Sequence, residues 1–142
     1  MNLWNQIRTW LGHKELPTHL QRGVLGERAA RKHLEHLGLR CLVVNYRGGG
    51  GEIDLVCRDQ ECLVFVEVKT RSSEEWTRPA AAVDAKKRRL LSKAALAYLR
   101  GLRHPAVKFR FDIVEVLLEN DAIREIRHLP NSFELSKPLR YG

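Results

Sequence analysis

The sequence predicts an α/β domain with a mixed central sheet flanked by helices, and three observations carry that expectation. Segments with helical spacing of apolar residues alternate with short, branched apolar runs, in the order helix, three strands, helix, then one or two strands. Two of the runs, GEIDLVCR and ECLVFVEVKTR, are joined by so short a turn that they should form an antiparallel hairpin. With 142 residues, 44% hydrophobic and 30% charged, the chain is long enough to bury one core and too apolar to be disordered.

Residues 1–17 carry Trp4, Ile7, Trp10 and Leu11 at helical spacing. They read as a leader or a small packing helix, with a docking or membrane-surface helix as the alternative. They show no long apolar core or cleavage site, and no run in the chain approaches the length of a membrane span. The domain proper is expected over 18–130. THLQRGVLGERAARKHLEHL is its first helix, with Thr18 able to cap the start, Leu20, Ala30, Leu34 and Leu37 on the apolar face, and Gly38 suited to the stop. LRCLVVNYR is a strand that runs into Gly48–Gly51, read as a flexible loop because the neighbouring residues lack the lysine and hydroxyl of a P-loop.

The hairpin follows, with RDQE as its turn. VDAKKRRLLSKAALAYLRGL is the second helix, its apolar face formed by Leu91, Ala94, Ala95, Tyr98 and Leu102. VKFRFDIVEVLLEN alternates as a fourth strand, and AIREIRHL is a candidate fifth strand at the sheet edge. Residues 131–142 read as an irregular C-terminal tail.

The formal net charge of +8 makes an anionic partner plausible, with nucleic acid the first candidate and a merely basic surface the plain alternative. Cys41, Cys57 and Cys62 form no CxxC pair and lie in expected strands, so they read as reduced, packed thiols of a cytoplasmic protein. The six histidines show no zinc-ligand spacing relative to them.

Chemistry concentrates in the hairpin. On a strand, side chains two apart share a face, so Glu67 and Lys69 point the same way as Leu63 and Phe65, while Val64, Val66 and Val68 occupy the other face. One face thus turns from apolar to ionisable near the strand's end. With ordinary register, Asp54 on the neighbouring strand lies within cross-strand reach. Two carboxylates beside an ammonium suit a hard divalent cation: Asp54 and Glu67 could hold Mg²⁺, with the backbone carbonyl of Val68 as a further ligand. Such an ion would neutralise a phosphodiester and lower the pKa of bound water, which Lys69 could orient. The plain alternative is a surface ion pair between Glu67 and Lys69.

The pattern of Asp54 followed by Glu67-Val68-Lys69 across a hairpin, after one helix and before another, resembles the PD-(D/E)xK nuclease superfamily. More closely, GERAARKHLEHLG, NYRGGGGEIDLV, LVFVEVKTR, AAVDAKKRRLLSKAALAYL and RFDIVEV resemble the bacterial YraN-like family, regarded as related to archaeal Holliday-junction resolvases. The resemblance covers roughly residues 20 to 128. It implies a restriction endonuclease-like αβββαβ core, metal-binding roles for Asp54 and Glu67, and a catalytic role for Lys69. It also implies that Glu27 of GERAA matches an additional acid that assists metal binding, with a solvated or capping glutamate as the alternative. The superfamily's proline before the aspartate is Ile53 here. Glu52 is either a secondary acid or a bend residue.

Arg71 and Arg78, flanking the loop after the catalytic strand, and Lys86 and Lys87, opening the second helix, could grip phosphate. Lys87 lies on the same stripe as Leu91 and Ala94 and so can lean toward the site, where it matches a lysine of the family helix. The expected function is therefore a Mg²⁺- or Mn²⁺-dependent nuclease hydrolysing DNA phosphodiester bonds, probing branched or single-stranded structure in repair or recombination. The alternatives are a catalytically weak nucleic-acid-binding module and a docking partner of a larger DNA-processing complex. Symmetric cutting of two strands would call for a homodimer, and no membrane partner is expected.

Overall fold

A computed structural model describes residues 18–72, 83–103 and 106–140. The leader expected over 1–17 and the phosphate-gripping role expected of Arg78 lie outside the described residues. Helix α1 (Thr18–His36) is followed by strands β1 (Arg40–Gly48), β2 (Gly51–Asp59) and β3 (Cys62–Ser72), helix α2 (Ala85–Arg100), and strands β4 (Lys108–Glu119) and β5 (Ala122–Phe133). The strands form one sheet in the order β1-β2-β3-β4-β5. Only β3 and β4 run parallel, and α2 makes the crossover between them. This is the αβββαβ order of a restriction-endonuclease-like core, with β5 added at the edge.

The helices lie on opposite faces of the sheet. Under α1, Ala29, Ala30 and Leu34 pack on Leu55, Val64, Val66 and Val114. Under α2, Leu91, Ala94, Ala95 and Leu99 pack on Ile53, Phe65, Phe111 and Ile113. Leu20 and Leu37, expected on the buried stripe of α1, are instead exposed. The stripe that faces the sheet is Gly26, Ala29, Ala30 and Leu34, and the three small residues let that part of the helix approach closely. The helix ends as its sequence suggests: Gly38 takes φ +98°, Gly38 N–H donates to Glu35 O, and Leu39 N–H donates to Leu34 O. Asp84 caps α2 by accepting from Lys87 N–H at 2.8 Å.

Two expectations need correction. Gly48–Gly51 is not a flexible loop. Gly49 and Gly50 form a two-residue hairpin turn with φ of +60° and +82°, the left-handed conformation such turns need. The turn is seated on α2: a Cβ on Gly49 would stand 2.6 Å from Lys93 O, and one on Gly51 would collide with Leu90 O. Second, β5 continues past the expected edge strand to Phe133. It does so because Phe133 stacks on Phe111 at 4.8 Å and because buried Asp112 accepts from Asn131 N–H at 2.9 Å and lies 2.7 Å from His128 Nε2. Arg110 completes that anchor with Nε 3.0 Å from Asp112 Oδ1. Among the described residues no helix is long and apolar enough to cross a membrane.

Candidate active site

The site forms where β2 and β3 part. Their ladder runs from Asp59 opposite Cys62 to Leu55 opposite Val66, and its next step would oppose Asp54 to Glu67. It stops there. On β1 and β2 the faces also change at this level: Val44 and Leu55 pack under α1, whereas Tyr46 and Ile53 pack under α2. Residues two apart should share a face, so the alternation slips at Asn45 and Asp54. Asn45 carries the slip with φ +53°, a conformation that asparagine tolerates better than most residues. The ordinary cross-strand register expected for Asp54 is thus absent. Its carboxyl instead fills the gap between the strands and accepts from Val68 N–H at 2.8 Å.

Glu67 is buried, and among the described residues Glu67 Oε2 has no hydrogen-bond partner. Its Oε1 lies 3.5 Å from Lys87 Nζ, which reaches in from α2 as its place on the Leu91 stripe suggested. Burial raises the pKa of Glu67, against the attraction of Lys87 and a hydrogen bond shared with the Asp54 carboxyl. Burial, then repulsion by Glu67, holds the Asp54 carboxyl well above the usual carboxylate range, although the Val68 N–H pulls the other way. The two acids therefore share a dry space that disfavours their joint ionisation, which Lys87 offsets in part.

Glu27 joins them from α1. Its Oε2 accepts from Asn45 Nδ2 at 3.3 Å, and its pKa is raised by burial first, then by repulsion from Glu52 and Glu67 despite that hydrogen bond. Glu27, Asp54, Glu67 and Val68 line one cleft of about 400 Å³ with His19, Arg22 and Arg71. The helix can deliver Glu27 there because Gly26 lies against Thr70, where any Cβ would collide with the threonine hydroxyl.

Lys69 stands beside this cleft without lining it. Burial lowers its pKa first, aided by repulsion from Arg71 and Lys87 and opposed by Glu67 and Glu115. Among the described residues it makes no ion pair within 4 Å. Arg71 lines the cleft, yet it is buried with its Nη1 3.6 Å from the equally buried Glu115 Oε2, so it is less free to follow a phosphate than its place in the sequence suggested. Lys86 is exposed on α2. Glu52 is not a bend residue but lies in β2 opposite Arg47, with which it makes a 3.6 Å ion pair at the surface.

No cluster of three or more histidine, cysteine, aspartate or glutamate side chains closes around one point among the described residues. Asp54 and Glu67 nevertheless fit a hard cation. They are oxygen donors, burial raises the pKa of both, and among the described residues Glu67 Oε2 is buried without a partner. An ion held by two carboxylates and the Val68 carbonyl would keep waters or substrate oxygens in its remaining positions, as Mg²⁺ commonly does.

Asn45, Gly26, Thr70 and Glu115 were missed by sequence reasoning. For Asn45 a signal existed, since asparagine is a poor strand former and interrupts the branched run LVVNYR. For Gly26 there was none, because its role depends on the distance between two elements.

The chain matches the family model described as "Uncharacterised protein family UPF0102", the YraN family, over residues 26–116. That span runs from Gly26 to Val116 and includes Glu27, Asp54, Glu67, Lys69 and Lys87. A UPF0102 protein of Trichlorobacter lovleyi is 42% identical over 115 residues, covering 80% of this chain and 91% of that protein. A second from Geobacter sulfurreducens is 43% identical over 114 residues, 80% and 89% of the two chains. A third from Syntrophus aciditrophicus is 42% identical over 118 residues, 83% and 92% of the two chains.

Proposed function

The chain belongs to the uncharacterised protein family UPF0102, and we propose that it is a divalent-cation-dependent nuclease hydrolysing DNA phosphodiester bonds. One observation carries the reading. Asp54 and Glu67 meet in the gap between β2 and β3, where burial raises the pKa of both and repulsion by Glu67 raises that of Asp54 further. A buried acidic pair offset only in part by Lys87 is costly to a fold, and its position in a cleft gives that cost a use.

Asp54, Glu67 and the Val68 carbonyl would hold Mg²⁺ or Mn²⁺, which when bound offsets phosphate charge and acidifies a coordinated water. The chain's own groups do the rest. The Val68 N–H fixes the Asp54 carboxylate in one orientation, and Lys87 does the same for Glu67 from the opposite face of the sheet. Lys69, whose depressed pKa eases release of a proton, is the group to orient the attacking water and stabilise charge as it develops on phosphate. Glu27, held by Asn45, supplies a further acceptor at the α1 side of the cleft. His19 and Arg22 bring basic character to the same wall, and the net charge of +8 favours a polyanionic substrate. The substrate is DNA read by shape, since the sequence carries no helix-turn-helix or zinc-finger signature.

The test is cleavage of single-stranded, nicked and branched DNA by the purified chain with Mg²⁺ or Mn²⁺, beside the Glu67→Ala protein prepared identically. Cutting by the parent and not by the variant is the expected result. A parent that cuts none of these substrates, or a variant that cuts them equally, removes the catalytic assignment.

A further inference from the structure

Cys41 of β1 and Cys57 of β2 are direct register partners across an antiparallel pair. Opposed residues in such a pair have Cα atoms roughly 4.5 or 5.5 Å apart, inside the range of about 4.4–6.8 Å that disulfides span. Both side chains belong to the layer under α1. Each thiol is the largest influence on the other's titration, Cys41 Sγ also lies 3.9 Å from the carbonyl of Val43, and both cysteines are free. Their surroundings differ: Cys57 has no exposed surface, whereas Cys41 is partly accessible and has the Arg31 guanidinium of α1 nearby. Cys62 lies at the start of β3, opposite Asp59 rather than either of these residues. Neither Cys41 nor Cys57 has a part in phosphodiester hydrolysis.

We propose that Cys41 and Cys57 are a peroxide-reactive dithiol that closes to an intramolecular cross-strand disulfide. The accessible thiolate of Cys41 attacks one oxygen of hydrogen peroxide. The O–O bond breaks, the departing hydroxide takes up a proton as water, and Cys41 becomes a sulfenic acid. The sulfur of Cys57 then attacks Cys41 Sγ: the S–S bond forms, the S–O bond breaks, and the leaving hydroxide departs as a second water with the Cys57 proton. Two thiols lose two electrons, and one peroxide is reduced to two waters.

The asymmetry of the pair assigns these roles. The Cys57 thiol, and then Arg31, bring Cys41 down to about 7 against the effect of burial, so much of it is thiolate near neutrality. The Cys41 thiol and burial push Cys57 up. Cys57 thus stays a thiol, sheltered from solvent oxidant and set across the strand pair from the Cys41 sulfur.

The full-length reduced chain is treated with hydrogen peroxide at near-stoichiometric dose, blocked with N-ethylmaleimide and mapped without reduction. Two of the three thiols should disappear into one Cys41–Cys57 cross-linked peptide, leaving Cys62 alkylated. Cys41→Ser should slow thiol loss at least tenfold, and Cys57→Ser should accumulate a Cys41 sulfenic acid that dimedone traps. Cys62→Ser should react as the parent does, so the parent and this variant decide the matter if replacing buried Cys57 prevents folding. Survival of both thiols in the folded parent, cross-links to Cys62, or cross-links between chains would overturn the assignment.

Discussion

Val68 N–H donates to Asp54 Oδ2 at 2.8 Å, so a side chain of β2 takes the place of a backbone acceptor just where the β2–β3 ladder ends. This bond gives Asp54 a structural duty separable from its charge. Asp54→Asn keeps an oxygen acceptor for Val68 and should fold normally while losing cation affinity. Asp54→Ala leaves the N–H without its acceptor and should also cost about 1–3 kcal/mol of stability. Mn²⁺ titration by calorimetry, paired with urea unfolding, separates the two effects. Equal Mn²⁺ affinity in the parent and Asp54→Asn would show that Asp54 is no ligand.

The raised pKa values of Glu27, Asp54 and Glu67 make a signed prediction about pH. Above the ordinary carboxylate range the unfolded chain has released these protons while the folded chain still holds them. The folded state then binds more protons, so stability falls as pH rises through that window and the loss is complete above the folded pKa values. In EDTA, Glu67→Gln should therefore match or trail the parent at acidic pH and exceed it near neutrality. A cation at about 100 times its Kd should return roughly 2.7 kcal/mol to the parent and little to the variant. Melting curves across pH, with and without Mg²⁺, check the sign; a parent–variant difference independent of pH would contradict it.

What the chain revealed in advance follows from which interactions are local. The apolar runs of β2 and β3 and the Gly38 stop depend on residues close in sequence, and each lies where its pattern indicated. Asp54 and Glu67 were legible because a buried hairpin rarely tolerates two acids unless a cation or a counter-charge meets them. Asn45 changes two strands' faces at once, and alternation counted along one strand cannot register that. Arg71 read as a phosphate ligand because Glu115, its buried partner, lies on β4 across a crossover helix. The four glycines looked mobile because the α2 backbone that confines Gly49 and Gly51 is absent from their own neighbourhood in sequence.

Phosphate contacts should make DNA affinity strongly dependent on salt, since each neutralised phosphate contributes about 0.9 to the log–log slope on duplex DNA. Lys86 and Lys87 should divide here. Lys86 is exposed on α2 and, if it grips phosphate, Lys86→Ala should lower the slope by about one. Lys87 is engaged with Glu67, so Lys87→Ala should depress cleavage more than it changes the slope. Fluorescence anisotropy at several KCl concentrations, with a catalytically silent Glu67→Ala background for binding, provides the measurement. A flat salt response in the parent would argue against a backbone-directed mode.

Gly26 and Gly23 stand one turn apart on α1 and should respond oppositely to the same change. A Cβ on Gly23 meets nothing within 4 Å, so Gly23→Ala should gain up to about 1 kcal/mol from helix propensity alone. At Gly26 the same propensity gain is opposed by collision with Thr70, and overpacking of a close contact costs about 1–3 kcal/mol. Gly26→Ala should therefore be neutral to destabilising, and it should displace α1 enough to weaken the reach of Glu27 into the cleft. Removing the threonine hydroxyl and methyl makes room, so Thr70→Ala should rescue Gly26→Ala with a coupling of about 1 kcal/mol in a double-mutant cycle. Additive effects in that cycle would place the cost somewhere other than the Gly26–Thr70 contact, and the helix would then owe its position to Ala29, Ala30 and Leu34 alone.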